Sequence, residues 1–186
     1  MPRTFIAIEL APEVRRPVVQ LLRSLPRLRD VRWCLEPQLH VTLKFLGDVP
    51  DGELPGVLAV ARAASSAVAP YEIRVGGLGC FPGPANPRVL WCGVEDARGG
   101  CRRWVAAADP GLAELNFKPE TRAFTPHITL GRSRSSVGAR GLREILQSHD
   151  LPWTGAMRVE EVVVFESRLL PAGAQYHALA TIPLTG

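Results

Sequence analysis

The 186 residues contain four histidines, and two of them open the same phrase: HVTL at 40–43 and HITL at 127–130. From average composition, a given His is followed by an aliphatic residue, Thr and Leu on the order of once in a thousand cases, so two among four is not a chance pattern. Successive side chains of a strand face opposite ways. His40 and Thr42 then share one face while Val41 and Leu43 take the other. His127 and Thr129 likewise share a face opposed by Ile128 and Leu130. In each phrase the aliphatic pair can anchor a rigid strand in a core. The polar pair, roughly 6–7 Å apart, is left to face something else.

Two imidazoles and two hydroxyls suit proton transfer at a phosphate. An imidazole titrates at about 6.5, so one ring can take a proton from an attacking oxygen while the other, protonated, gives one to the leaving oxygen. The two hydroxyls can donate to the non-bridging oxygens and stabilise added charge as phosphorus becomes five-coordinate. Each proton-transfer role contributes typically about 10²–10⁴-fold, so together they suffice for a strained ester such as a cyclic phosphate. Metal ligation is the competing use of paired histidines, but neither phrase holds a carboxylate, an H-x-H or an H-E-x-x-H. A Thr nucleophile would need an adjacent base and an orienting group, and the duplication argues for a symmetric role.

Elements that could hold such strands are legible along the chain. TFIAIEL (4–10) reads as a strand, followed by a helix from Pro12 to about Arg29 whose apolar side is Val18, Val19, Leu21, Leu22 and Leu25. VRWCL and LHVTLKFLG read as strands, then a helix from Asp51 to about Val68. YEIRVGGLGCF and RVLWCGVE flank a proline-rich loop, and a helix follows from about Arg98 to Leu115. AFTPHITLGRS, MRVEEVVVFES and QYHALATIPL read as further strands, with a short helix at GLREILQ and turn residues between the last two strands. Strands and helices without regular βα alternation predict an α+β fold of antiparallel sheets covered by helices.

Composition narrows the classes. The length suits one domain spanning 1–186, able to bury roughly 70% of its unfolded surface without disulfide or metal. No apolar run approaches the roughly 18 residues of a membrane span. The opening MPRTFIAIEL lacks a leader's long apolar stretch, so a cytoplasmic protein is expected. Cys34, Cys80, Cys92 and Cys101 show no C-x-x-C pair and are read as reduced structural thiols. The net charge of +4 rests on twenty Arg and two Lys, which favours a polyanionic partner without naming one. His149 and His177, outside any matching phrase, are expected to be non-catalytic, and Arg88 to be a solvated side chain or an RNA-backbone contact. Gly76, Gly77 and Gly79 open no helix and do not form a phosphate loop.

The paired H-x-T-L phrases, 87 residues apart, resemble those of the two-histidine (2H) phosphoesterase superfamily. The flanks RTFIAIEL, LHVTLKFLGDV, GCFPGPANPRVLWCGV, FTPHITLGRSR and VVVFESRLLPAGAQYHAL resemble, more narrowly, the RNA 2′,3′-cyclic phosphodiesterases, also called LigT-like 2′–5′ RNA ligases. The resemblance implies a bilobal fold, two pseudo-symmetric antiparallel sheets flanked by helices with the site in the central cleft. It implies metal-independent, cofactor-free hydrolysis of an RNA terminal 2′,3′-cyclic phosphate to a 2′-phosphate, by a monomer acting on RNA ends. His40 and His127 become the acid–base pair, with His40 the acid toward O3′ and His127 activating water. Thr42 and Thr129 become phosphate ligands, Arg132 a further phosphate contact, and Phe45 a platform for the terminal base. Related outcomes are another cyclic phosphate such as that of ADP-ribose, 2′–5′ ligation, or a binding module without turnover. Strict alternation sets Arg132 and Phe45 on the face opposite their histidines, unless Gly131 permits a bulge. Alternation places Lys44 on the face of His40 instead, as a rival phosphate contact or an exposed strand-end lysine.

Overall fold

The computed structural model describes residues 3–170 and 173–186. Nine strands among them form one antiparallel sheet: β1 (Arg3–Glu9), β2 (Val31–Trp33), β3 (His40–Asp48), β4 (Tyr71–Phe81), β5 (Val89–Glu95), β6 (His127–Ser133), β7 (Ala156–Val159), β8 (Glu161–Leu170) and β9 (Gly173–Pro183). Four helices lie between them: α1 (Pro12–Ser24), α2 (Leu54–Ser66), α3 (Gly100–Glu114) and α4 (Ser136–Ser148). The strand order is β7-β4-β5-β6-β3-β1-β8-β9, with β2 also paired to β6. The two motif strands are therefore neighbours at the centre, each backed by three further strands. They meet through one residue pair, Val41 with Ile128. The expected α+β arrangement of two related antiparallel halves is what the chain forms, the halves joined edge to edge at that pair.

Local chemistry explains where the elements begin and end. Pro12 opens α1, as its fixed φ and missing N–H allow. The helix stops at Ser24, short of the expected Arg29, because Pro26 forces Leu25 into extended conformation at ψ 140°. α4 begins five residues earlier than expected. Ser135 caps it by accepting from the Gly138 amide. Its glycines, which lower helix propensity, are there for close approach: a Cβ on Gly138 would stand 2.6 Å from the Asp30 carbonyl oxygen. The stretch read as one strand, MRVEEVVVFES, is broken at Glu160 into β7 and β8, which go to different halves of the sheet. The turn expected between the last two strands falls on residues 171–172, outside the described residues.

One sheet face carries the main core, where Ile6, Ile8, Val41, Leu43, Ile128 and Leu130 pack with α1 and α3 residues such as Val14, Val18, Trp104 and Leu112. Burying side chains of this size contributes about 1.5–3 kcal/mol each, which makes this face the anchor. The other face carries a small cluster of Phe5, Ala7, Val163 and Phe165 with Tyr176 against it. His40 and Thr42, alternating with Val41 and Leu43, are turned toward this second face. No described helix is long and apolar enough to cross a membrane.

Candidate active site

The Leu of each phrase is the extra residue of a β-bulge. In β3, Ala7 pairs with Thr42 and Ile6 with Lys44, so Leu43 is skipped. In β6, Trp91 pairs with Thr129 and Leu90 with Gly131, so Leu130 is skipped. A bulge turns two consecutive residues to one side and re-aims all that follow. Leu43 and Lys44, like Leu130 and Gly131, are accordingly buried in succession. Phe45 and Arg132 are thereby returned to the faces of their histidines, against the strict alternation rule.

Lys44 is the correction. It is neither exposed nor a phosphate contact. It is 4% exposed, and its Nζ donates to Asp109 Oδ1 of α3 at 2.5 Å, behind the sheet. The twin position in β6 is Gly131, whose side-chain space is taken by Trp33. A Cβ there would stand 2.9 Å from the indole.

Counting outward from the Val41–Ile128 pair sets His40 beside Thr129 and Thr42 beside His127, two imidazoles at opposite corners of a four-residue patch. A cavity of about 140 Å³ opens there, lined by His40, Thr42, Phe45, Thr129 and Arg132. Five residues complete the wall: Phe5, Cys34, Gln38, Ser167 and Tyr176. His127 is not part of that lining. It stands beyond Thr129 at the start of β6, close enough that its charge helps to lower the pKa of His40.

Each imidazole is held by rings on neighbouring strands and by a main-chain carbonyl. Phe5 stacks on His40 with centroids 4.8 Å apart, and Tyr176 meets it edge-on at 5.4 Å. Phe81 meets His127 edge-on at 4.9 Å, with Trp91 at 6.1 Å. Nδ1 of His127 donates to the Thr125 carbonyl at 2.7 Å, and the Gln38 main chain favours the charged form of His40. A carbonyl only accepts, so Nδ1 of His127 carries the hydrogen and its Nε2 is the nitrogen free to exchange protons. Nε2 of His40 lies 2.9 Å from the Thr42 hydroxyl. Burial lowers the pKa of both rings, that of His40 to about 4. The carbonyls oppose this shift, and the Arg132 charge adds to it.

The flanking residues Phe5, Gln38, Phe81, Trp91 and Tyr176 were not singled out from sequence. Each stands beside the phrases only through strand pairing, and the sole local hint was the residue two before each His, where the carbonyl sits. His149 lies at the C-terminal end of α4, its Nδ1 2.9 Å from the Ser148 hydroxyl, and His177 pairs with Glu166 in the β8–β9 ladder, both away from the cavity. Arg88 is exposed just before β5. All four cysteines are free thiols, and burial pushes Cys92 and Cys101 up to about 12. Cys34 is the one that reaches the cavity wall.

Comparison with known proteins agrees with this geometry. The family model of the 2′-5′ RNA ligase superfamily matches residues 10–169. The RNA 2′,3′-cyclic phosphodiesterase of Methanothermobacter thermautotrophicus is 34% identical over 175 residues, 94% of each chain. That of Thermus thermophilus is 32% identical over 190 aligned residues, covering 99% of this chain and 91% of the relative. The crystal structure of TT0787 of Thermus thermophilus superposes with a TM-score of 0.81 at 30% identity, over 99% of this chain and 98% of that one. Escherichia coli LigT complexed with 3′-AMP superposes at 0.77 and 22% identity, over 100% and 99%, a likeness of fold. With twin bulged H-x-T-L strands at the centre of its sheet, the chain belongs to the 2′-5′ RNA ligase superfamily of two-histidine phosphoesterases.

Proposed function

We propose that the chain hydrolyses the 2′,3′-cyclic phosphate at RNA 3′ ends to a 2′-phosphate, the activity for which its relatives are named, by proton transfer through His40 and His127 without a metal. The observation that carries this is the one sheet face that holds both His–Thr pairs, to which the matched bulges also bring Arg132 and Phe45. Water attacks phosphorus in line with the P–O3′ bond. Nε2 of His127 takes the water's proton, and Nε2–H of His40 gives its proton to O3′ as that bond breaks, leaving a 3′-hydroxyl and a 2′-phosphate. Exchange with solvent resets both rings. Phe45, on the same strand as His40, receives the terminal base and so sets the leaving ribose oxygen on the His40 side. His127, across the patch, is left for the water. The hydroxyls of Thr42 and Thr129 and the Arg132 guanidinium donate to the non-bridging oxygens.

Both half-sites come from one chain, so residues 1–186 act as a single two-lobed unit and as a monomer. The free thiols suit the reducing cytoplasm. If a 5′-hydroxyl replaces the water, the same displacement makes a 2′–5′ linkage, the reaction named in the superfamily description. Incubation with a short RNA ending in 2′,3′-cyclic phosphate, with and without EDTA, tests the reading. A 2′-phosphate product formed equally in both supports it. A 3′-phosphate product, or turnover abolished by chelator, overturns it.

A further inference from the structure

Arg32 and Arg132 face one another directly across β2 and β6. Opposed residues of antiparallel strands share a face, with β-carbons roughly 4.5–5.5 Å apart, and like charges placed so repel. Neither guanidinium makes an ion pair or a hydrogen bond with another described residue. Neighbouring arginines are otherwise engaged: Arg15 donates to the Leu10 and Glu36 carbonyls, Arg23 pairs with Glu36, and Arg3 lies over the Phe45 ring. The side on which the pair stands is fixed by its neighbours. Val31 and Trp33 pack with the main core, and Arg32 between them, opposite Arg132 in the ladder, is turned to the site face. Arg132 lines the cavity, and Arg32 stands just outside its lining.

A cation pair left unrelieved at the edge of a phosphate site is completed by a second anion, and guanidinium forks match phosphate oxygens. We propose that Arg32, beside Arg132, binds the internucleotide phosphate on the 5′ side of the terminal cyclic nucleotide. The protein then selects ends that carry this phosphate over bare nucleoside cyclic phosphates. The inference rests on the phosphodiesterase reading above, in which the cyclic phosphate lies on the Thr42 and Thr129 hydroxyls. The next phosphate in the chain is one nucleotide further out, where Arg32 stands.

Equilibrium binding separates the two ideas, since it needs no turnover. Adenosine 2′,5′-bisphosphate and adenosine 2′-monophosphate, both product mimics, are titrated into the wild type, Arg32→Gln and Arg62→Gln, the last on α2 behind the sheet. The wild type should bind the bisphosphate about tenfold more tightly, one charge-assisted contact's worth. Arg32→Gln should bring the two ligands within about twofold, while Arg62→Gln keeps the preference. The proposal is overturned if the wild type shows no preference, if Arg32→Gln retains it, or if Arg62→Gln loses it as well. Turnover of a short RNA ending in 2′,3′-cyclic phosphate by the wild type reports separately on the phosphodiesterase reading: its absence removes that reading and leaves the binding result standing.

Discussion

The two halves of the sheet agree through four residues and then part. In β3 the phrase runs on into Lys44 and Phe45, in β6 into Gly131 and Arg132, and the pattern of exposure along both strands is the same through these positions. The shared bulge gives each half the same pair of directions, one residue sent behind the sheet and the next sent to the site. What the halves send differs. One delivers an aromatic ring, 54% exposed, and the other a guanidinium. Behind the sheet, one uses a lysine ion-paired to α3 and the other makes room for an indole. The common part supports a near-symmetric reaction at phosphorus. In the reaction proposed above, the divergent part would tell the substrate which way round to lie.

The largest test of the common part is the histidines. His40→Ala and His127→Ala should each lower kcat by about 10²–10⁴-fold with the fold retained, since each is assigned one proton step. A loss of tenfold or less in either would break the equivalence of the halves. The divergent part is examined behind the sheet first. Asp109→Ala should destabilise by about 3 kcal/mol, because it strands a buried ammonium, whereas Lys44→Met should cost only about 1 kcal/mol. Equal shifts in thermal unfolding would show that the pair is not what places Lys44. On the site face, Arg132→Ala should reduce kcat/KM by about 10–100-fold, from the loss of charge-assisted bonds. Phe45→Ala should act mainly through KM, by about tenfold, as loss of a stacked base does. Were Phe45→Ala to reduce kcat alone, the base would have to lie elsewhere.

The pH response tests the common part without any substitution. The reactive free protein holds one proton on the pair. Because burial lowers both rings, that of His40 to about 4, the protonated fraction is falling by neutrality. kcat/KM should therefore decline as pH rises through 7, approaching tenfold per unit, with apparent values belonging to the pair. Bound phosphate stabilises the imidazolium, so kcat should hold to higher pH. A kcat/KM flat from pH 6 to 8 would mean that the rings are not depressed in the free protein.

Alternation and motif spacing were enough to place His40, Thr42, His127 and Thr129 on one face, since each lies before the bulge. Beyond Leu43 and Leu130 the same rule gave the wrong side for Lys44, Phe45 and Arg132. A bulge is a property of two strands in register, and β3 offers no glycine next to the skipped position to betray it. Gly131 did give such a hint in β6. The aromatic rings on His40 come from β1 and β9, more than 30 residues away on one side and 130 on the other, so no local pattern could announce them. Helix ends failed where proline or close packing overrode periodicity, at Leu25 and at Gly138.

The break at Glu160, where a single stretch of chain is divided between the two halves, has a consequence for assembly. Strands β4 to β7 form one half from an unbroken run of chain, so that half can close as soon as it is made. The other half needs β8 and β9 to return beside β1, and β9 brings Tyr176 to the ring of His40. On a ribosome the His40 side would stay open-edged until the last strand emerged, so the nascent chain would gain its catalytic competence only with that closing strand.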